Sequence, residues 1–126
     1  MDKARFDQGL AVRREVMGAE RIDKVMKEAD AFTRPVHDLI TEYCWGEIWT
    51  RPGLSRKTRS LINLGMLAAL NRPNEFKLHV GGALTNGVTK EEILECCLQV
   101  AIYCGVPAGL ESTNLAKEIF RQRGID

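Results

Sequence analysis

Apolar residues recur every three or four positions along most of the chain, which is the spacing of one face of an α-helix. No segment of strand length alternates between apolar and polar residues. Turn-forming residues separate the helical stretches, namely Gly18, Pro52-Gly53, Asn86-Gly87 and Gly105. The pattern therefore predicts an all-α fold, a compact bundle of about six to seven helices.

The first part of the chain predicts three helices. The first runs over about 2–17 and ends at Gly18, and a shorter one follows over about 19–31. Thr33 is placed to cap a third helix that begins near Pro35. This helix leads directly into the segment that holds both tryptophans.

The second part of the chain predicts four more helical stretches. Ser55 is a plausible N-cap for a central helix whose apolar run covers 61–70, and Pro73 can begin the next helix, over about 73–85. A T-x-x-E capping box at 89–92 starts the following helix, which ends at Gly105. A last helix is expected over about 107–123.

Two of these stretches, 61–70 and 94–104, are apolar almost all the way round the helix. A helix of this kind needs partners on every side, more than one small bundle provides. The chain is therefore expected to form a homo-oligomer.

Composition restricts the class of protein. A length of 126 residues predicts one domain spanning 1–126, and 44% apolar residues, 28% charged residues and a net charge of +1 indicate neither disorder nor nucleic-acid binding. No apolar run approaches membrane-spanning length, and no leader follows the charged N-terminus, so a soluble, cytoplasmic protein is expected. The cysteines form no C-x-x-C pair and are expected as buried free thiols: Cys44, Cys96, Cys97 and Cys104.

The segment 45–61 concentrates aromatic and basic residues around a Pro-Gly turn. Trp45 and Trp49 offer flat apolar surface, and Arg51 and Arg59 can bind carboxylates through two bonds each, so the segment is interpreted as one wall of a pocket for a small anion. The alternative is a helical corner with packed indoles and solvated arginines. Glu47 is either a carboxyl with a raised pKa or a partner for one of these arginines.

Only two histidines are present, and they differ in their surroundings. His37 lies near a helix start and is expected to be exposed and idle. His79 lies mid-helix and is followed by Gly81 and Gly82, each of which costs a helix about 0.5–1 kcal/mol relative to alanine. Close approach of a ligand or of another helix would explain these glycines, so His79 is either a satisfied core histidine or a functional one. No motif with metal-ligand spacing is present, and no metal is expected.

Several longer motifs together resemble the carboxymuconolactone decarboxylase family, which includes the alkylhydroperoxidase-D-like proteins. These motifs are W-G-E-I-W-T-R-P-G-L at 45–54, T-R-S-L at 58–61, A-L-N-R at 69–72, K-L-H-V at 77–80, N-G-V-T-K-E-E-I at 86–93, A-I-Y-C-G-V-P-A at 101–108 and G-L-A-V-R-R-E-V-M-G at 9–18. The resemblance covers nearly the whole chain.

The resemblance implies an all-helical fold that assembles into ring-shaped homo-oligomers, a hexamer or a trimer of dimers. It also implies a carboxy-lyase that converts 4-carboxymuconolactone to 3-oxoadipate enol-lactone in protocatechuate catabolism, with no cofactor. The peroxidase branch of the family carries C-x-x-C-x-x-x-H, but here Arg72 and Glu75 precede His79, which argues against peroxide chemistry. Many relatives carry arginine two residues after the histidine, where this chain has Gly81.

Roles for the site residues follow from the reaction that the resemblance implies. Arg51 and Arg59 are expected to bind the substrate carboxylates, with Trp45 and Trp49 enclosing the substrate. His79 is expected to stabilise the oxyanion or to deliver the proton. The second-line catalytic candidates are Glu47 and Tyr103, the latter expected in the core with its hydroxyl towards a pocket.

Two other functions remain open from the sequence. One is a helical, oligomeric binding or accessory protein of the same fold without the decarboxylase activity, and Gly81 is its main support. The other is a related enzyme that acts on a different lactone or on a peroxide.

Overall fold

The computed structural model describes residues 1–126, which form two compact units, 1–55 and 56–126. Every regular element is helical, with seven α-helices and one π-helix. The prediction of an all-α fold of six to seven helices is confirmed, whereas the prediction of a single domain stays a prediction.

Unit 1 contains four helices, α1 (Lys3–Met17), α2 (Ala19–Glu28), α3 (Arg34–Leu39) and a π-helix (Ile40–Ile48). Asp2 caps α1 by accepting a hydrogen bond from the Arg5 amide at 3.0 Å. Gly18 ends α1 with a φ of +97°, a conformation that favours glycine. The first helix therefore has the bounds expected from its caps.

The connection between α2 and α3 differs from the prediction. Helix α2 ends at Glu28 rather than near residue 31, because Ala29 adopts an extended conformation. Thr33 precedes α3 as predicted, but its side chain makes no capping bond to that helix. Instead the Thr33 hydroxyl donates to the Asp30 carboxylate at 3.1 Å and accepts from the Asp30 amide at 3.0 Å. Its side chain therefore orders the preceding turn.

The π-helix continues α3 without a break and was not predicted. Its wider winding is seen in the bond from the Trp49 amide to the Cys44 carbonyl, five residues earlier, at 3.0 Å. The π-helix packs on α1, where Gly9 and Gly46 allow the two backbones to approach closely. The core of this unit is formed by Val12, Val16, Trp45 and Trp49.

Unit 2 contains α4 (Arg56–Ala69), α5 (Pro73–Thr85), α6 (Lys90–Cys104) and α7 (Val106–Gln122). These bounds agree with the predicted ones to within a few residues, and α4 begins at Arg56, directly after the predicted N-cap Ser55. The predicted capping box is present, since Thr89 accepts from the Glu92 amide at 3.1 Å and Glu92 accepts from the Thr89 amide at 2.9 Å. Pro73 begins α5, and Gly105 ends α6 with a φ of +105°.

The core of unit 2 lies among α4, α5, α6 and α7. Leu64, Phe76, Val80 and Ile93 are almost fully buried in it. The same helices also carry large apolar side chains that are exposed on this chain, at Ile62 and Met66 of α4 and at Leu94, Leu98 and Ile102 of α6, and Leu70 directly after α4 is exposed as well. The two stretches that the sequence marks as apolar all round are thus only partly covered within the chain.

All four cysteines are free thiols, but their burial differs from the prediction. Cys97 is buried and Cys44 and Cys96 are half-buried, whereas Cys104 is exposed at the end of α6. Desolvation is the main reason that the pKa of Cys96 is raised, to about 11. The expectation of buried thiols is therefore wrong for Cys104.

Candidate active site

His79 is the middle residue of α5, a helix that begins at Pro73 and is followed by Asn86. Its side chain is half-buried, and the Nδ1 atom is fully shielded from solvent. Burial is the main cause that lowers the pKa of His79, and the carboxylate of Glu75 partly offsets this by raising the pKa. His79 is therefore a titratable group in a desolvated setting, a kind of environment that is common at functional sites.

Glu75 was not among the residues predicted for the site. It lies in the first turn of α5, four residues before His79. Residues at this spacing share one face of an α-helix. The spacing could have been recognised from the sequence, where Glu75 was considered only as the residue standing in place of a peroxidase cysteine.

Arg59 lies in the first turn of α4, as expected. The residue is half-buried and its Nε atom is fully buried. Next to it, the buried Ser60 hydroxyl accepts a hydrogen bond from the Asn86 side chain at 2.9 Å, which ties α4 to the end of α5. This hydrogen bond therefore anchors the backbone that carries the Arg59 side chain.

Tyr103 lies near the end of α6 and is 79% exposed. The expectation that Tyr103 is part of the core is therefore wrong. The helical repeat directs Val100 into the core, and Ile102 and Tyr103 follow it on the outer side of α6. A catalytic role for this hydroxyl stays a prediction.

Trp45 and Trp49 lie in unit 1 and stack on each other, with ring centroids 4.6 Å apart and planes inclined by 20°. Only 3% and 5% of their respective surfaces are exposed on this chain. Their spacing of four residues, across the end of the π-helix, brings the two rings together. The indoles are thus packed as the alternative interpretation of this segment expects, and a substrate-binding role for them stays a prediction.

Glu47 also lies on the π-helix, where its carboxylate pairs with the Arg5 guanidinium of α1 at 3.3 Å. Both side chains are about 40% exposed. Glu47 is therefore partnered by Arg5, an arginine that the sequence did not single out. Arg51 follows the π-helix in a turn, where it is exposed and its amide donates to the Ile48 carbonyl at 3.1 Å.

His37 is half-buried on α3, so the expectation that it is exposed is wrong, whereas its lack of a functional role stays a prediction. Its Nδ1 atom lies 3.4 Å from Nη2 of Arg13, a buried arginine of α1. Because a guanidinium only donates, Nδ1 of His37 is the acceptor in this contact. Arg13 also donates to the Thr41 hydroxyl at 3.2 Å. His37 therefore belongs to a polar cluster inside unit 1.

A cavity of about 340 Å³ opens in unit 2 beside the start of α5. Its polar lining includes Arg72, Glu111 and Ser112, and Phe76 forms part of the apolar lining. None of the predicted site residues lines this cavity.

No group of three or more histidine, cysteine or acidic side chains is arranged to hold a metal ion. None of the helices has both the length and the apolar character needed to cross a bilayer.

The fold defines the class: this is an all-helical protein, and in its second unit α5 carries a histidine that burial desolvates. The sequence matches the profile of the Carboxymuconolactone decarboxylase family over residues 34–118. The chain belongs to this family, and the matched region includes parts of both units.

Two relatives that are named as decarboxylases agree with this assignment. The chain is 39% identical over 124 residues to a 4-carboxymuconolactone decarboxylase of Acinetobacter baylyi, covering 98% of this chain and 92% of the relative. It is 47% identical over 107 residues to a nitrosuccinic acid decarboxylase of Metarhizium robertsii, covering 85% of this chain and 75% of that relative. A 15.0 kDa protein of Paracoccus denitrificans is 32% identical over 86 residues, which are 66% of this chain and 63% of that protein.

Proposed function

We propose that the protein is a carboxy-lyase that converts 4-carboxymuconolactone to 3-oxoadipate enol-lactone. The observation that carries this proposal is the 39% identity to a 4-carboxymuconolactone decarboxylase over almost the full length of both chains. The reaction class agrees with the name of the family to which the chain belongs. The reaction belongs to the catabolism of protocatechuate.

The substrate of this reaction provides its own electron sink. When the bond between the ring carbon and the carboxylate breaks, CO2 leaves and the electron pair moves through the ring onto the lactone carbonyl oxygen. The resulting oxyanion needs a hydrogen-bond donor or a positive charge, and a proton must then be added to a ring carbon. The protein therefore has to bind the carboxylates, stabilise one oxyanion and supply one proton.

We assign the proton and the oxyanion contact to His79. Its imidazole is desolvated, which strengthens its electrostatic interactions, and it titrates nearer to neutral pH than any other kind of side chain. Glu47 and Tyr103 are secondary candidates. The carboxylate of Glu47 is engaged by Arg5, and the Tyr103 hydroxyl is on an exposed face of α6.

We assign the carboxylates of the substrate to Arg51 and Arg59. Arg51 is exposed in a turn after the π-helix, and Arg59 lies in the first turn of α4, where the helix dipole also favours a negative charge. Trp45 and Trp49 are assigned to enclosing the substrate. Their burial and stacking favour a contact through a ring edge, with the ring faces occupied by packing.

The proposal is tested by mixing the purified protein with 4-carboxymuconolactone and following the loss of lactone absorbance and the release of CO2. Rapid, enzyme-dependent loss of one CO2 per substrate molecule is expected between pH 6 and pH 8. No turnover by folded protein in this range would favour the accessory protein that lacks this activity.

A second candidate function is the decarboxylation of nitrosuccinate, favoured by the 47% identity to a nitrosuccinic acid decarboxylase. In both reactions the carboxylate leaves as CO2 and the electron pair of the broken bond moves into an acceptor group of the substrate. In nitrosuccinate this acceptor is the nitro group. Both substrates also keep a second carboxylate for an arginine to bind. Comparing kcat/KM for the two compounds on the same preparation identifies the preferred substrate.

We also propose that the protein works as a homo-oligomer, a hexamer or a trimer of dimers. The exposed apolar residues of α4 and α6 support this, because patches of this kind on a protein surface usually mark an interface. Multi-angle light scattering should give a mass near six times that of the 14.1-kDa chain. A monomeric mass at micromolar concentration would contradict this proposal.

We place the protein in the cytoplasm. This location is supported by the four cysteines of the chain, because all of them are free thiols, which is typical of a reducing compartment. Fluorescence microscopy of a tagged chain in its native cell should show a diffuse internal signal.

A further inference from the structure

Helix α5 brings one acidic side chain close to His79. Glu75 and His79 are four residues apart in a helix that runs without interruption over Pro73–Thr85. At this spacing two Cβ atoms lie about 5–6 Å apart on the same face. One turn further along, residues Gly82 and Ala83 carry no charge. On its own helix, Glu75 is therefore the ionisable group placed to act on His79.

Charged groups of the helices around α5 are largely engaged elsewhere. Lys57 of α4 pairs with Glu92 at 3.1 Å, and Glu118 of α7 pairs with Lys77 at 3.5 Å. Two further arginines of α4, Arg56 and Arg59, add positive charge to this side of the unit.

Arg72 immediately precedes α5, and a second cation near this helix is Arg123, which follows α7. Its guanidinium lies against Gly81 and donates to the Thr85 hydroxyl at 3.4 Å. Residue 81 is about 200° around the helix from residue 79, so this contact is on the far side of α5. Arg123 therefore does not replace Glu75 as the charged neighbour of His79.

We infer that Glu75 is a positioning residue for the decarboxylation, because its carboxylate keeps the half-buried His79 in the charged form that can donate a proton. The inference rests on the proposed function, in which His79 delivers the proton to the substrate. Burial alone disfavours an imidazolium, and a carboxylate one helical turn away restores part of the protonated population. Glu75 acts through His79 and needs no contact with the substrate.

The test begins with a measurement that requires no substrate. The chain has only two histidines, so the ring protons of His37 and His79 can be assigned by NMR with one single-histidine variant. Glu75→Gln should lower the titration midpoint of His79 by about half a pH unit and leave that of His37 unchanged. Raising the salt concentration should reduce this difference, because the effect is one of charge.

Kinetics then separate the proposed role from a merely structural one. The pH at which kcat/KM falls on the alkaline side should drop by the same half unit in Glu75→Gln. Turnover should be about threefold lower above the midpoint and unchanged well below it, where His79 is fully protonated in both proteins. Glu75→Asp keeps the charge and should restore most of the profile. Glu91→Gln changes a glutamate in the first turn of α6 and is the matched control.

Two results would overturn the inference. One is a His79 titration that does not move in Glu75→Gln. The other is a loss of activity that is equal at every pH, which would indicate a structural role at the start of α5. Failure of the proposed function would be seen separately, as a wild-type protein that decarboxylates neither substrate while the NMR measurement still reports on the pair.

Discussion

The guanidinium of Arg123 lies against the backbone of Gly81, with Nη2 3.0 Å from the point that a Cβ atom on residue 81 would occupy. Nη1 of Arg123 donates to the Thr85 hydroxyl at 3.4 Å, and that hydroxyl donates to the Gly81 carbonyl at 3.2 Å. The residue after α7 is thus held on α5. A guanidinium from the residue that follows α7 occupies the surface where a side chain of residue 81 would begin.

Gly81→Ala is expected to be neutral or to stabilise the protein by up to about 1 kcal/mol. Alanine removes the helix-propensity cost of glycine, and the atom it would meet is the end of a flexible, exposed arginine that can move by a few tenths of an ångström. Urea denaturation followed by circular dichroism measures the free energy of unfolding. A loss above about 1 kcal/mol would show that the Arg123 contact is rigid.

The matched control is Gly9→Ala on α1. A Cβ atom there would fall on the backbone of Thr41 and Gly46 in the π-helix. Because backbone atoms cannot move aside as a side-chain end does, this variant should lose about 2 kcal/mol or more. Equal stability of the two alanine variants would contradict this difference.

Trp45→Ala should destabilise the fold by about 3–5 kcal/mol, because the indole is buried and stacked on Trp49. Trp45→Phe keeps an aromatic ring at the same place and should lose much less. Circular dichroism is the suitable probe, since the change alters tryptophan fluorescence. A stable Trp45→Ala protein with a raised KM would instead indicate that the Trp45 side chain mainly contacts the substrate.

His79→Gln should lower kcat by about 100-fold or more while the protein stays folded, because a glutamine amide can donate a hydrogen bond but cannot deliver a proton. His37→Gln is the matched control: His37 contacts Arg13 in unit 1 and should not affect turnover. Steady-state kinetics at pH 7 compare the two variants. Unchanged turnover in folded His79→Gln would remove this residue from the mechanism.

Arg51→Ala should raise KM by about tenfold or more, since it removes a charge-assisted hydrogen bond to a substrate carboxylate. The side chain is exposed, so the free energy of unfolding should change little. Arg59→Ala is expected to act in the same direction. Arg121→Ala on α7 removes another exposed arginine and should leave KM as it is. Normal KM and kcat in Arg51→Ala would exclude it as a carboxylate ligand.

Thr89→Ala should lower the free energy of unfolding by about 1 kcal/mol, the usual effect of removing an N-cap side chain.

The capping box also makes stability depend on pH. The backbone amide of Thr89 is the main cause that lowers the pKa of Glu92, and the Lys57 side chain adds to it. The stability from this carboxylate is therefore complete above the ordinary glutamate pKa and is lost as the pH falls through the lowered value.

Glu92→Gln tests this pH dependence. Its unfolding free energy should fall less steeply than that of the wild type as the pH is lowered below about 4.5. Unfolding curves at closely spaced pH values give the two slopes. Equal slopes would show that the Glu92 carboxylate does not contribute to the loss of stability as the pH falls.

Features with local causes could be predicted from the sequence. Gly18, Pro73, the Thr89 capping box and Gly105 mark helix ends because each acts on the backbone within one turn of itself. The resemblance to the family could also be recognised, because it rests on residue identity along the chain. Of the candidate site, His79 and the place of Arg59 at the start of α4 were predicted in this way.

Features that depend on contacts between distant residues could not be predicted. The helical spacing of Trp45 and Trp49 is compatible with a pocket wall, and only packing against α1 shows that the two rings are buried and stacked. Tyr103 continues an apolar run, yet its position on the helix leaves it exposed. The π-helix also has no local signal, because its extra width is stabilised by packing on α1.

The sequence alone determined most of the helix boundaries of this protein and the family to which it belongs, because both depend on residue types at fixed short spacings. Only the tertiary structure decided which side chains face the core, that Arg123 covers Gly81, and that His79 is desolvated. These depend on which helix faces meet, and burial and electrostatic environment are set by neighbours that are distant along the chain.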